Sequence, residues 1–395
     1  MDANSTNVPD RNAGLDAVRV LATFMIVVYH VISYDVAGIN SRHASALGAV
    51  AARLNVGVQM FFVLSGFLVA RPFVGRFISG DASPPLIPYL VRRGARILPA
   101  YWVALIILAM FGAIEIPDPM VFAKNALLVH TLDSRTVFTG ITQSWTLAIE
   151  MSFYLAMPFA FLCIAPLRRH LTPAARSVAL ALLLLLIAAN AYIFRAVTNL
   201  IDIDFLKAST VLLPTHMDTL ALGMLIAVLL ESNLRHSHFL TLTRFLQRAS
   251  VPLLVLAVVT WSASSRIGLP LAFEPVSLKT ELLGHFLYSL SAFLFLIPFC
   301  IAFPTSRIQK WSSLGPIPWL ASVSFGIYLW HRVLLSGSIA DRFMPFHPND
   351  GRVLVRLLVT VPVSIAIGAT SYHLVERPIV RAVARRTHPP LSSQK

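Results

Sequence analysis

The sequence predicts an all-α integral membrane protein, a bundle of about ten transmembrane helices, and three observations lead to this prediction. Hydrophobic residues make up 56% of the 395 residues and charged residues only 13%. The mean hydropathy is +0.73, whereas an ordinary soluble domain carries roughly one-quarter charged residues. The apolar residues also fall into runs of about 20, the length that crosses a hydrocarbon core of roughly 30 Å.

Ten such runs follow one another along the chain, and the seventh is the shortest. The longest separations between them, 71–96 and 116–143, leave room for interfacial helices but not for a second globular domain. The ten predicted spans are 15–37, 50–70, 97–116, 144–165, 175–194, 211–230, 251–265, 282–303, 315–337 and 353–374.

Lys and Arg orient these spans, because the loops that carry them in excess stay in the cytoplasm. With the N-terminus inside, the inner loops hold 19 Lys and Arg residues and the outer loops hold 10. We therefore expect both termini to be cytoplasmic. The net charge of +14 follows from this asymmetry and from attraction to an anionic inner leaflet, so we expect the lipid bilayer and no nucleic acid as a partner.

The segments outside the spans are short. Residues 1–14 are expected to form a disordered cytoplasmic tail without a cleavable signal, 15–378 the membrane domain, and 379–395 a basic cytoplasmic tail. Cys163 and Cys300 lie in different spans without metal-ligand or redox spacing. We expect both to be core packing residues, with no disulfide and no metal.

Arg19 and His30 are the most informative pair. Eleven residues at 100° per residue bring His30 back to within about 20° of Arg19, roughly 16 Å further along the helix. A charged Arg and a titratable His inside a membrane helix cost free energy unless they face a protein-lined or wet cavity. The pair therefore predicts a site, with Arg19 near the cytoplasmic face and His30 past the midplane.

Other polar groups accompany this pair. Glu150 in the fourth span and His331 in the ninth are expected in the outer half of the bilayer, with His30. The segment before the third predicted span carries Arg92, Arg93 and Arg96 at the inner surface. The simplest functional interpretation is a route from a cytoplasmic anion site to an acid/base site in the outer half.

Six motifs occur in order along almost the whole chain. They are Arg19 with His30; Gly57 to Phe67; Arg93, Arg96 and Pro99; Trp145 to Glu150 with Phe153 and Tyr154; Ser324 to His331; and Glu376, Arg377 and Pro378. Together they resemble the bacterial acyltransferase 3 family of membrane O-acyltransferases.

The resemblance implies an enzyme of the bacterial cytoplasmic (inner) membrane. It would move an acetyl or other short acyl group from cytoplasmic acyl-CoA to a hydroxyl of a cell-envelope glycan, a lipid-linked sugar or a secondary metabolite. Gln59 departs from the family pattern, where an acid is common, and Glu150 stands alone where many members have two carboxylates. The chain is expected to be a stand-alone form without the extracytoplasmic hydrolase-like domain of many relatives.

The candidate catalytic residues are His30, Glu150 and Arg19. Imidazole can take a hydroxyl proton near neutral pH, so direct transfer needs no nucleophilic residue. No Gly-X-Ser-X-Gly motif appears, which favours direct transfer over an acyl-enzyme. Glu150 would orient His30 or bind the acceptor. The structural alternatives are a buried neutral His30 and a Glu150 paired with an arginine.

Arg93, Arg96 and Arg92 are the candidate ligands of the coenzyme A phosphates, because spacing i, i+3 places Arg93 and Arg96 on one helical face. They would otherwise be positive-inside anchors at the lipid headgroups. Trp145, Tyr154 and His331 are candidates for acceptor contacts or for support of the catalytic residues. Trp145 and Tyr154 are also typical interfacial aromatics.

Two other interpretations stay open. An O-acyltransferase of a hydrophobic metabolite such as a macrolide would use the same residues. A secondary transporter would also place His, Glu and Arg in its spans, although no internal symmetry is visible here. The identity of the acceptor, the acyl chain length and the oligomeric state are not encoded in any motif of the chain.

Overall fold

The computed structural model describes residues 12–36, 50, 52–201, 209–235, 240–269, 276–301, 306–335 and 353–387, and this part of the chain contains helices and no strand. Fourteen α-helices are described. They are α1 (Ala13–Val36), α2 (Val56–Ser79), α3 (Leu86–Met110), α4 (Pro119–Ala126), α5 (Trp145–Ile164), α6 (Pro173–Leu200), α7 (Leu213–Arg235), α8 (Leu240–Arg248), α9 (Ser250–Ser264), α10 (Leu278–Cys300), α11 (Arg307–Ser312), α12 (Ile317–Trp330), α13 (Val353–Ser371) and α14 (Arg377–Thr387).

The prediction of an all-α membrane bundle is confirmed. Among the described residues, eight helices are long and apolar enough to cross a membrane, and α8 with α9, bent by 67°, would make a ninth span. The predicted ninth span corresponds to α12, 14 residues long, continued by a five-residue 3-10 turn, His331–Leu335. The count of ten and the cytoplasmic position of the termini remain predictions.

Side-chain caps start several of the helices. Asp118, Thr172, Ser277 and Ser306 each accept a hydrogen bond from the backbone N–H three residues further on, at the starts of α4, α6, α10 and α11. Such caps satisfy donors that have no partner within the helix. The short polar stretches between apolar runs therefore fix where these helices begin.

Helix α2 lies at the centre of the bundle. Its most apolar window is 67% buried, against 22% for α6. Small residues let α2 and α7 approach closely, because a Cβ at Gly66 would lie 2.1 Å from the carbonyl oxygen of Leu220 and one at Gly223 would lie 2.0 Å from that of Val63. Backbone contact of this kind is how membrane helices pack without a hydrophobic driving force. Gly66 and Gly223 therefore allow the close packing of α2 against α7.

Helix α3 begins at Leu86, eleven residues before the predicted start of the third span at Ile97. The predicted span begins at Ile97 because hydropathy counts every arginine as a residue exposed to water. A guanidinium that faces a cavity, however, lies within a helix at lower cost. All of Arg92, Arg93 and Arg96 therefore stand on one helix and not in a loop.

The connection between α3 and α5, residues 111–144, folds over one end of the bundle. Tyr101 donates to the carbonyl oxygen of Asn125 at 2.9 Å, and the buried imidazole of His130 lies 3.2 Å, Nε2 to Oγ, from Ser144. Burial lowers the pKa of His130 to about 4. The Lys124 ammonium donates to Asp133 at 2.5 Å and holds the pKa of Asp133 below its usual range.

The structure also bears on the two cysteines and the two terminal segments. Cys300 is buried, as predicted, but Cys163 is exposed on α5, so its assignment to the core is wrong; the fifth helix presents that face to the outside. Helix α1 begins at Ala13, within the segment predicted as a disordered tail, and α14 carries the basic C-terminal segment to Thr387. Residues 1–11 and 388–395 of the predicted tails lie outside the described residues.

Candidate active site

One cavity joins five of the predicted site residues. Helices α1, α2, α3, α5 and α12 enclose about 830 Å³ of empty space, counted up to its open mouth. The predicted residues that line it are Arg19, Arg93, Arg96, Glu150 and Tyr154.

The arginines occupy one end of this cavity, called here the arginine end and defined by Arg19, Arg93 and Arg96. The Arg93 guanidinium lies over the rings of Tyr154 and Tyr89, 5.4 and 5.9 Å from their centroids. Neither Arg93 nor Arg96 forms a salt bridge within the described part of the chain. Arg92, by contrast, is not among the residues that line the cavity, so the structure groups the i, i+3 pair and leaves Arg92 aside.

Arg19 is held differently. Its Nη1 lies 3.2 Å from the carboxylate of Asp16, one turn earlier on α1, and its side chain keeps 20% of its surface exposed. Further along the same face, Ile26 also lines the cavity. Arg19 thus faces the space toward which His30 is predicted to lie.

Glu150 faces the arginines. Its carboxylate accepts a hydrogen bond from Ser65, and the charges that act on it are those of Arg96, Arg93 and Arg19. The sequence placed Glu150 with His30 in the outer half and gave it the role of orienting that histidine. The structure gives Glu150 no hydrogen bond to His30, because α5 turns the carboxylate toward α2 and α3.

His331 takes the place beside His30. Its Nε2 lies 3.0 Å from Nδ1 of His30, and the two ring centroids are 5.0 Å apart. The Nδ1 of His30 is also 3.0 Å from the carbonyl oxygen of Ile26. We call this pair of side chains, His30 and His331, the histidine end; it adjoins the cavity through Tyr328, which lines the cavity.

The hydrogen bonds determine the tautomers of the pair. His331 Nδ1 lies 2.7 Å from the carbonyl oxygen of Tyr328 and carries a proton, since a carbonyl only accepts. In neutral His331 the Nε2 is then an acceptor, and it receives the Nδ1–H of His30, shared with Ile26. Nε2 of His30 is therefore unprotonated, with no hydrogen-bond partner among the described residues, and its lone pair is available to a substrate.

A reciprocal set of bonds fixes α12 against α5. The amide of Gln143 donates to the carbonyl oxygen of Leu329 at 2.9 Å, and the hydroxyl of Tyr328 donates to the carbonyl oxygen of Gln143 at 3.1 Å. Thr146 lies 2.7 Å from the same hydroxyl, oxygen to oxygen. Sequence analysis singled out neither Gln143 nor Thr146. Gln143 stands two residues before Trp145 and Thr146 lies within the quoted motif, which was the available signal.

Trp145 does not line the cavity. It packs against Phe62, with centroids 6.2 Å apart, and against His216 at 5.6 Å. Beyond His216 lies a buried polar cluster that the sequence analysis also missed. In it, Asp218 accepts from Ser289 at 2.8 Å and Tyr192 at 3.1 Å, and its other oxygen lies 3.0 Å from His285 Nε2.

The described residues show no cluster of metal ligands. Within the described ranges, no group of three or more His, Cys, Asp or Glu side chains is arranged to hold a metal ion. The arrangement instead combines guanidinium groups at one end of a cavity with an oriented imidazole at the other. Such a site can bind an anion and move a proton some distance away from it.

Comparison with known proteins identifies the family. The family model described as an acyltransferase domain, Acyl_transf_3, matches residues 12–371. The chain belongs to this acyltransferase family. The predicted resemblance is confirmed by this match.

Characterised and putative relatives support the assignment. The putative peptidoglycan O-acetyltransferase YrhL of Bacillus subtilis is 25% identical over an alignment of 394 positions that covers 93% of this chain and 54% of YrhL. The peptidoglycan O-acetyltransferase OatA of Listeria monocytogenes is 24% identical over an alignment of 388 positions that covers 92% of this chain and 55% of OatA. The chain thus spans about half the length of these relatives. No solved protein structure matches it.

Proposed function

We propose that this multi-pass membrane protein is an O-acetyltransferase of the bacterial cytoplasmic membrane. It takes an acetyl group from acetyl-CoA at the arginine end and transfers it, at the histidine end, to a hydroxyl of an extracytoplasmic cell-envelope glycan. The observation that carries the proposal is the single cavity that runs from Arg19, Arg93 and Arg96 to Tyr328, next to the histidine pair. The names of the relatives, peptidoglycan O-acetyltransferases, support the acceptor class.

The arginine end suits the phosphates of coenzyme A. Guanidinium groups bind phosphate through charge-assisted, bidentate hydrogen bonds. Arg93 and Arg96 form no salt bridge in the described part of the chain, and Arg96 is exposed, so both can receive such a ligand. Glu150 limits the positive charge of the group, with Ser65 fixing the direction of its carboxylate.

The separation of Arg19 and His30 along α1 suits the pantetheine arm. Arg19 and His30 are separated by eleven residues of α1, which is about 16 Å of helix rise. From phosphate to sulfur the arm has the backbone length of about five amino acids, so that extended it spans roughly 17 Å. A coenzyme A whose phosphates lie near Arg19 would therefore present its thioester close to His30.

The histidine end supplies the base. Nε2 of His30 takes the proton of the acceptor hydroxyl as its oxygen attacks the thioester carbonyl carbon. The tetrahedral intermediate then expels the thiolate as the C–S bond breaks, and the thiolate takes the proton from the His30 imidazolium. The products are the acetyl ester and free coenzyme A. His331 accepts the Nδ1–H of His30 throughout and stabilises the imidazolium, the role that sequence analysis gave to Glu150.

The proposal is tested by measuring free thiol released from acetyl-CoA by the purified protein in nanodiscs, with soluble glycan fragments as acceptor. We expect release that depends on the acceptor, an acetylated glycan in the mass spectrum, and loss of both in His30→Ala. Arg93→Ala removes an arginine that lines the cavity. Arg92→Ala, which removes one that does not, is its matched control. Release that persists in folded His30→Ala would overturn the role of His30, and movement of substrate without thiol release would indicate transport.

A further inference from the structure

A cationic side chain stands directly beside the histidine pair. Arg332 follows His331 on the 3-10 turn His331–Leu335 and is half-buried. Its charge acts on Tyr29, Tyr328 and His30. The Tyr29 ring is itself 5.1 Å, centroid to centroid, from that of His30. Arg332 therefore lies beside the histidine that is the base of the proposed reaction.

Arg332 differs from two other buried or half-buried arginines, each of which is paired with an acid. Arg19 lies 3.2 Å from the carboxylate of Asp16, and Arg195 lies 3.0 Å from that of Glu281. For Arg332 the described residues offer neither a hydrogen bond nor an ion pair. Holding a guanidinium half-buried without a partner costs free energy, which a bound anion would recover.

The position of this charge also bears on the reaction. While His30 holds the acceptor proton, its imidazolium is repelled by the neighbouring guanidinium of Arg332. An anion bound to Arg332 cancels this repulsion during the transfer, when it matters most for rate. Binding an anionic acceptor would thus favour the charge that forms on His30.

We propose that Arg332 binds a carboxylate of the acceptor glycan next to the hydroxyl that is acetylated. The inference rests on the proposed acetyl transfer and adds the substrate class, namely glycans that carry an acidic group. A carboxylate matches the planar fork of a guanidinium by two parallel hydrogen bonds. Arg332 is then a specificity residue, whereas His30 performs the proton transfer.

The test compares two soluble acceptors of equal length, an uncharged N-acetylglucosamine oligomer and an oligomer that alternates N-acetylglucosamine with N-acetylmuramic acid. We expect the wild type to prefer the acidic oligomer by about 10- to 100-fold in kcat/KM, the effect of one charge-assisted contact. Arg332→Gln should reduce this ratio to about one, and Arg332→Lys should keep part of it. Arg135→Gln, which removes an exposed positive charge from the 111–144 connection, should leave the ratio unchanged.

Several results would overturn the inference. They are a wild type without preference, an Arg332→Gln variant that slows both acceptors equally, and a stronger preference for a phosphate-bearing oligomer of the same length. If His30→Ala abolishes thiol release while Arg332→Gln keeps the preference, acetyl transfer stands and the role of Arg332 fails. If the wild type releases no thiol with any acceptor, the proposed function itself fails.

Discussion

His331→Leu removes the acceptor of the His30 Nδ1–H bond, and its effect on rate follows from the structure. Leucine fills a similar volume without a hydrogen-bonding atom, so the 3.0 Å contact between the two imidazoles is lost. His30 keeps the carbonyl oxygen of Ile26, also at 3.0 Å. The ground state should therefore change little, while the imidazolium that forms during transfer loses one charge-assisted partner.

The magnitude can be worked from these contacts. A hydrogen bond to a charged group contributes about 1.5–3 kcal/mol, which corresponds to a decrease in kcat of roughly 10- to 150-fold. Because the proposed donor site is the arginine end, the KM for acetyl-CoA should stay within about twofold, since no uniform binding is removed. His331→Gln, whose side-chain oxygen can accept the same proton, should recover much of kcat.

The assay is steady-state thiol release at saturating acceptor with varied acetyl-CoA, run beside thermal unfolding of each variant in the same nanodiscs. Equal unfolding temperatures for the leucine and glutamine variants separate a rate effect from a folding effect. A His331→Leu variant with wild-type kcat would refute the assignment of His331 as the residue that positions His30. A glutamine variant as slow as the leucine variant would refute the hydrogen-bond mechanism.

Three further predictions follow from other contacts. Glu150→Gln should lower the KM for acetyl-CoA about three- to tenfold, since an anion that competes for the arginines is removed, and should leave the pH dependence of kcat unshifted. Ser65→Ala, which leaves the carboxylate in place, should not lower this KM, and a shifted pH profile in Glu150→Gln would indicate that Glu150 acts on the histidine. Gly223→Ala should destabilise the bundle by at least about 2–3 kcal/mol through overpacking, measured by thermal unfolding, whereas Gly94→Ala, whose Cβ would have its nearest neighbour at 3.6 Å, should not. Because the pKa of folded His130 is lowered to about 4, the unfolded state binds a proton at higher pH than the folded state does. The free energy of opening of the 111–144 connection should therefore fall by about 3 kcal/mol as pH falls from about 6.5 to 4. An opening free energy, measured by amide exchange, that stays constant over this pH range would contradict this.

The parts of the site that lie within one helix could be predicted from the sequence. Arg19 lines the cavity, and His30 does not line it but lies beside it, with its Nδ1 3.0 Å from the carbonyl oxygen of Ile26. That both residues serve one site stays a prediction. The grouping of Arg93 with Arg96 followed from helical periodicity. Each pattern lies within one helix, α1 or α3, and helical geometry determines which side chains of a helix share a face.

The contacts between helices were not predictable in this way. His331 is 301 residues from its partner His30, and Ser65 is 85 residues from Glu150. Periodicity places each side chain on a face but does not place the faces against each other, so it could not predict that Glu150 meets Ser65 or that His30 meets His331. The start of α3 was missed for a related reason, because hydropathy counts a cavity-facing arginine as an aqueous residue.

The most direct test of the central claim, that the cavity delivers an acetyl group from the arginine end to the histidine end, uses proteoliposomes with protein in one known orientation. Isotopically labelled acetyl-CoA is placed on the side of the arginine end and the glycan acceptor on the other. The account predicts labelled ester on the glycan with the wild type and none with His30→Ala. Label that appears only when donor and acceptor share one side would contradict it.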